Sequence, residues 1–535
     1  ALRRPAQLRL GAAVLASGLG ARSWDGLRPP APSRVAGVAT LVSDPVNVEG
    51  AIRVEARLGG RRVEAWARGS AAGQLRPRLA GQRVGLSGRL SPVPERSRAY
   101  LASRHVAARL SVDDVGAWSE GGPLPRVANG VRRILLRGAA SLPDDRRALF
   151  SGLVLGDDRD QDAGTVDDFR ATGLSHLLAV SGQNVAFVLA LAAPVLRLLG
   201  LRGRFLAALA VLVLFGVLTR WEPSVLRAEA MAAVSLLAAM LGRPASTIRV
   251  LALAVTGLVL VDPLLVRSVG FLLSCGACAG IATLAGPFSR HLPLPLAVTL
   301  AAQVGVAPLL APVFGGVPVA SVPANLLAAP AAGPVMMWGL GAGLPAGLLG
   351  EPWATVAHLP TRVLVAWVAG VARVGAGLPL GHLRTPHLVV VTALVVAAVL
   401  LPRLRLPALA LGAGTFVWAT VVAPPVQGQV AVADGARLWR RGGASVLVVD
   451  RPRSRSLLSG LRRAGVRNLD VVAVRSAGRS AGPAMAPVLE RHPARVLITP
   501  ATSTPGTKVT VGGLRVDVVT TRPRLDVRVS PADGT

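Results

Sequence analysis

An apolar stretch running from about Gly173 to Val422 constrains this chain more than any other feature. It is punctuated by Gly and Pro but carries few charges, and a helical span needs only about 20 such residues. Composition agrees: 52% of the 535 residues are hydrophobic and 16% are charged, against roughly 25% charged in soluble domains. The two ends, Arg34–Ser119 and Val426–Thr535, read as ordinary water-soluble sequence. The expectation is a polytopic α-helical membrane protein with a soluble module on each side of its core.

Candidate spans lie near Leu174–Leu199, Phe205–Thr219, Val225–Leu241, Ile248–Val266, Val269–Ala285, Leu296–Pro312, Val317–Ala332, Val335–Leu349, Val363–Ala376, Leu388–Leu401 and Leu406–Val422. That is about eleven, within a range of roughly nine to twelve, because several are short or broken by Gly and Pro. Broken spans are usual where backbone lines a cavity. Leu8–Leu19 is apolar but short, and reads as a signal-peptide core or the remnant of a first helix. Arg3, Arg4 and Arg9 would hold its N-terminal side in the cytoplasm.

The net charge is +31, from 59 basic and 28 acidic residues. Such an excess fits attraction to nucleic acid or anionic lipid, or positive-inside loops with composition drift. Cys275 and Cys278 form a C-x-x-C inside an apolar run, without the further ligands a zinc site needs. They read as small packing residues.

Residues Arg34–Ser119 alternate apolar and polar at period two in Val35–Val42, Ala51–Leu58, Arg62–Arg68 and Arg83–Leu90. Gly59-Gly60, Gly69–Gly73 and Pro92–Pro94 read as the turns between them. This predicts a small antiparallel barrel of the OB kind, a fold that often binds single strands. Its aromatics are few, Trp66, Tyr100 and Trp118. Beyond it, Ser141 reads as the cap of a helix reaching Gly156, and Thr165–Thr172 as a second short helix. Both look amphipathic and are expected on the membrane surface or leading into the core. In the tail, Ser445–Asp450, Ser456–Ala464, Leu469–Val474 and Arg495–Thr499 read as strand, helix, strand and strand of an α/β domain.

Polar side chains at membrane depth need a reason. His176, Ser181, Gln183 and Asn184 crowd the start of the first core segment. They mark either a helix break lining a polar path or interhelical hydrogen-bond glue. Arg227 would face a polyanion, or pair with an acid on another helix, and Glu229 needs a partner of its own. Gln303 and Asn325 are single amides in later spans.

The run Phe169–Val185, FRATGLSHLLAVSGQNV, resembles the signature of the ComEC family, inner-membrane channels that take up single-stranded DNA during natural competence. Gly152–Asp157, Arg227-Ala228, Asp262-Pro263, Gly270–Ser274, Gln303–Pro308 and Pro323–Ala328 resemble further landmarks of that family in the same order. The resemblance implies an N-terminal anchor (1–30), an extracytoplasmic OB-like module (31–120), amphipathic helices (121–173), a multi-span competence core (174–424) and a metallo-β-lactamase-like tail (425–535), in a bacterial inner membrane. By resemblance both soluble modules face outward.

The family's tail often carries His-x-His-x-Asp-His after a strand. The matching place here reads Arg475-Ser-Ala-Gly-Arg-Ser-Ala-Gly482, and the tail has one histidine, His492. The family's Asp-Val-Gly-Gln-Gly-Asp turn is reduced to Val426–Gln429. The tail is therefore expected to keep a degenerate fold without metal, cofactor or enzymatic activity. The resemblance implies a channel lined by His176, Ser181, Gln183, Asn184, Arg227, Gln303 and Asn325. Arg61, Arg62, Arg76 and Arg78 would hold DNA phosphates on charge grounds alone. Expected partners are single-stranded DNA, membrane lipid, a DNA-receptor protein and a cytoplasmic ATPase or helicase, since the chain has no P-loop. An oligomer is allowed. The rival readings are a secondary transporter of a small anion and a membrane-bound nuclease.

Overall fold

The computed structural model describes residues 18, 20, 24–48, 50–243, 245–314, 316–378, 381–383, 385–401, 403, 407–408, 410–412, 414–415, 427–476, 481–522 and 524–532. Nearly all of Leu8–Leu19, most of the last candidate span and positions 477–480 lie outside the described residues. Backbone contacts divide the chain into two units. The first joins Ala1–Asp160, Gly173–Val371 and His382–Ala419; the second joins Gln161–Thr172, Ala372–Gly381 and Thr420–Thr535.

The first unit opens with β1 (Ser33–Leu41), β2 (Val46–Val48), β3 (Ala51–Leu58), β4 (Arg61–Ala67), β5 (Arg83–Pro92) and β6 (Val106–Ser119). They form one sheet in the order β1-β5-β6-β4-β3-β2. β4 and β6 run parallel and the other neighbours antiparallel. β1 also meets β3 at Thr40–Arg57 and Leu41–Ala56. Alternate residues of each strand turn inward, so Leu41, Val54, Val63, Leu86 and Leu110 share one apolar core with Leu75. One of the expected turns, Gly69–Gly73, is helical, while Pro92–Pro94 leaves β5 as expected. Helix Gly69–Leu75 starts at the supposed Gly69–Gly73 turn, and helix Glu95–Ala102 follows Pro94 directly.

Helix Pro123–Gly138 comes next, then helix Asp144–Leu155. Ser141 does not cap the latter; Pro143 holds the cap position and Ser141 lies in a preceding 3-10 turn. The helix ends at Gly156, which takes a left-handed φ of 68°. It is not a surface helix, because every residue from Ala148 to Leu155 is buried.

Among the described residues, four core helices are long and apolar enough to cross a membrane: Leu201–Leu218, Pro223–Met240, Val269–Ser289 and Leu359–Gly377. Ser321–Gly341 and Gly343–Leu349, bent by 41° at their junction, make a broken span or a re-entrant loop. The two spans expected at Val317–Ala332 and Val335–Leu349 are thus one bent element. Pro330 and Pro334 sit inside its first helix without breaking it, as neighbouring helices permit in membranes. Shorter apolar helices include Gly182–Leu196 and Thr247–Val261. Val269–Ser289 has few fully buried residues, Phe271, Gly280 and Phe288, which suits a helix with a face toward lipid. It packs tightly on Leu294–Phe314 because glycines face each other: a Cβ on Gly280 would lie 2.3 Å from the Ala301 carbonyl oxygen. The short strands β7 (Val317–Pro318) and β8 (His382–Leu383) pair nearby.

The second unit holds a sheet of β9 (Gly428–Ala433), β10 (Ala436–Arg441), β11 (Ala444–Val449), β12 (Leu469–Val474) and β13 (Ala494–Ile498), in the order β13-β12-β11-β10-β9. Parallel pairing of β11, β12 and β13 follows from the helical crossovers Ser454–Arg463 and Ala481–Arg491. A three-stranded sheet of β14 (Lys508–Val511), β15 (Leu514–Thr520) and β16 (Asp526–Pro531) packs on its other face. This is the α/β tail expected from the sequence.

Candidate functional site

The polar residues at the start of the core fall into two hydrogen-bonded groups. The first forms where helix Gly182–Leu196 begins. Ser181 stands at the cap position and donates to Asn184 Oδ1 at 3.2 Å. Asn184 is fully buried and donates through Nδ2 to the Leu153 carbonyl at 3.2 Å, tying this helix start to helix Asp144–Leu155. Ser224 donates to the Val180 carbonyl at 2.6 Å, adding helix Pro223–Met240 to the junction.

Arg227, 4% exposed, reaches the same junction from that helix. Its Nη1 touches only sulfur, Met231 Sδ at 3.5 Å and Cys278 Sγ. A Cβ on Gly182 would lie 2.8 Å from its Nη2, so only glycine leaves room for the guanidinium. Its Nε has no partner, and no carboxylate pairs with it among the described residues. Glu229 points elsewhere, with a buried oxygen also unpartnered. A buried cation without an anion is costly. This arrangement can bind one anionic group.

The second group centres on Ser321, 2% exposed. Gln303 Nε2 donates to its Oγ at 3.3 Å and Asn325 Nδ2 to its carbonyl at 2.7 Å. A Cβ on Gly173 would meet Ser321 Cβ at 2.6 Å, and His176 Nδ1 lies 3.1 Å from the Gly173 carbonyl. Gln183 Nε2 lies 3.5 Å from the Cβ position of Gly333, on helix Ser321–Gly341. Ser321 and Ser224 escaped sequence reasoning because a serine in an apolar helix carries no distinctive signal.

Arg61 and Arg62 stand at the start of β4, where Arg62 donates to the Arg104 carbonyl at 3.2 Å. Arg76 and Arg78 follow helix Gly69–Leu75. Arg78 lies 4.1 Å over the Trp118 ring. Arg109 likewise covers Trp66 and Arg104 covers Tyr100, so each aromatic of the module carries a guanidinium on its face.

A buried ionic network joins the module to the core. Arg132, 2% exposed, contacts Asp157 at 2.7 Å and Asp44 at 3.2 Å and donates to the Leu218 carbonyl at 2.9 Å. Arg220 reaches Asp44 at 2.8 Å and Asn129 at 2.8 Å. Burial opposes charge on Asp44, but Arg132, Arg220 and Arg159 outweigh it and hold the carboxyl well below the usual carboxylate range.

The Competence protein family matches residues 153–408. ComE operon protein 3 of Bacillus subtilis (strain 168) is 27% identical over 237 residues, covering 43% of this chain and 30% of that protein. The chain thus matches about a third of the length of this curated relative. No solved structure matches.

Proposed function

We propose that the chain, whose residues 153–408 match the Competence protein family, conducts single-stranded DNA across the bacterial inner membrane as a multi-pass, non-catalytic channel. The observation that carries this reading is Arg227, a guanidinium buried among apolar helices with sulfur contacts and no acid. A passing phosphodiester would supply the missing anion and meet a lower barrier in a low-dielectric slab. The uncapped first turn of helix Gly182–Leu196 lies beside it and adds backbone N–H groups.

The N-terminal module is read as an OB-type barrel, because its pairings run from β1 through β5, β6, β4 and β3 back to β1. It would hold the strand outside the membrane. The tail is read as a degenerate metallo-β-lactamase-like domain without hydrolytic activity. Stoichiometric zinc or manganese on the purified chain would count against that. A receptor protein would deliver DNA and a cytoplasmic ATPase or helicase would pull it.

A single buried cation also suits a small-anion transporter, and one experiment separates the two. In cells that use this chain for transformation, Arg227→Ala should leave membrane insertion and surface-bound DNA unchanged. Internalised labelled single strands should fall at least about 10-fold, the equivalent of about 1.4 kcal/mol. Unchanged internalisation, together with lost phosphate flux in proteoliposomes, would replace the DNA channel with the transporter.

A further inference from the structure

Residues 161–172 lead into the signature run and include its first four residues, yet they cluster with the tail. Their helix, Ala163–Ala171, is capped by Asp162, whose carboxylate accepts from Gly164 N at 2.7 Å and Thr165 N at 3.1 Å. Ala163 packs on the apolar cluster that holds Leu457, Leu461 and Val488 of the tail. Two neighbouring carboxylates, Asp167 and Asp168, are 4% and 8% exposed. Successive residues of a helix point about 100° apart, so the two acids engage different tail helices. Arg462 of helix Ser454–Arg463 donates through Nη1 to the Asp167 carboxylate at 2.5 Å and to its carbonyl at 2.8 Å. Arg491, the last residue of helix Ala481–Arg491, pairs with Asp168.

This seam is specified by charge but poorly satisfied. Arg462 Nε and His492 Nε2 are buried there without hydrogen-bond partners. Burial pushes the Asp168 carboxyl up to about 6 despite Arg491, so the pair does not fully repay its desolvation. A permanent joint would complete such bonds. A contact that opens has less need to, and the two arginines it covers are forked donors suited to phosphate.

We propose that helix Ala163–Ala171 is a latch on the tail, its carboxylates occupying a phosphodiester site made by Arg462 and Arg491, and that DNA opens the latch by displacing them. This rests on the reading of the chain as a DNA channel. The latch is joined by a few residues to the Ser181–Asn184 turn, so its release would free the segment that leads into the first core helix. The tail thereby senses DNA in place of cutting it.

The test is hydrogen exchange on the full chain in detergent, with and without a single-stranded oligonucleotide. DNA should raise exchange in 163–171 at least about 10-fold while β11 and β12 stay protected. Asp167→Asn, which removes the carboxylate that holds Arg462, should open the latch without DNA and tighten DNA binding. Arg462→Gln with Arg491→Gln should abolish the DNA response and lower the salt slope of binding by about 1.4, two phosphates at about 0.7 each. DNA that binds the chain yet leaves exchange in 163–171 unchanged would overturn the latch, even if either variant proved unfolded. So would unaltered affinity in a folded Asp167→Asn chain. The channel reading fails separately: a chain whose latch responds to DNA, but which internalises none in cells, retains the sensor and loses the conduit.

Discussion

Removing Asp44 should loosen the joint between the β-module and the core more than removing any exposed charge. Asp44 accepts from Arg220 at 2.8 and 3.1 Å and from the Ala80 amide at 2.8 Å, and it lies 3.2 Å from Arg132. Both arginine side chains are largely buried, at 2% and 12% exposure. Deleting one partner of a buried pair costs about 3–5 kcal/mol because the other charge stays behind. Asp157 still balances Arg132 and Asn129 still holds Arg220, so Asp44→Ala belongs at the lower end, about 3 kcal/mol. Native-state hydrogen exchange on the full chain reads this as roughly 100-fold faster opening of helix Pro123–Gly138. Asp25→Ala is the internal control, since Asp25 and Arg28 are 63% and 81% exposed and such pairs contribute less than about 1 kcal/mol. Because the Asp44 carboxyl is depressed in the fold, its contribution is complete above the unfolded value near pH 4. It is lost as pH falls toward the folded value. Asp44→Asn should remove that acid limb. Exchange within a few-fold of wild type in Asp44→Ala would refute the reasoning and make the network ornamental.

Gly182→Ala would place a methyl 2.8 Å from Arg227 Nη2; internalisation of labelled strands should drop several-fold while insertion persists, and unchanged uptake would show that the guanidinium moves freely. Arg78→Gln should lower the salt slope of single-strand binding to the full chain by about 0.7, and Trp118→Ala should weaken binding by about 1–3 kcal/mol if bases stack there. Asp168 titrates at about 6 inside a seam with Asp167, Arg491 and Arg373. A raised carboxyl favours the protonated fold, so this contribution is complete below about pH 4 and lost as pH rises through 6. Helix Ala163–Ala171 should therefore lose up to about 3 kcal/mol of protection over that window, a slope absent in Asp168→Asn.

What the sequence made legible, and what it hid, follows from the range of the forces involved. Strands β1, β3, β4 and β5 show in the residues because alternation is local. β6 does not, because its register with β5 slips twice, between Val84 and Leu86 and between Ser87 and Gly88, and a bulge breaks period two. Gly333-Pro334 looked like a boundary between spans, yet the helix passes through it, since packed neighbours replace the hydrogen bond that proline lacks. Arg227, Asn184, Gln303 and Asn325 were visible as polar residues in apolar surroundings, a signal that needs no partner. Their roles were not, because Leu153 and Ser321 meet them only in the folded chain. The ionic joint was less legible still: Arg220 and Asp44 are 176 residues apart, and Arg132 looks like any arginine on an amphipathic helix. The same holds for Asp167 and Arg462, 295 residues apart. Membrane burial thus announces each polar residue singly, whereas pairing across modules leaves no trace in one sequence. In this chain the pairs that couple the β-module to the core, and helix Ala163–Ala171 to the tail, are of the second kind.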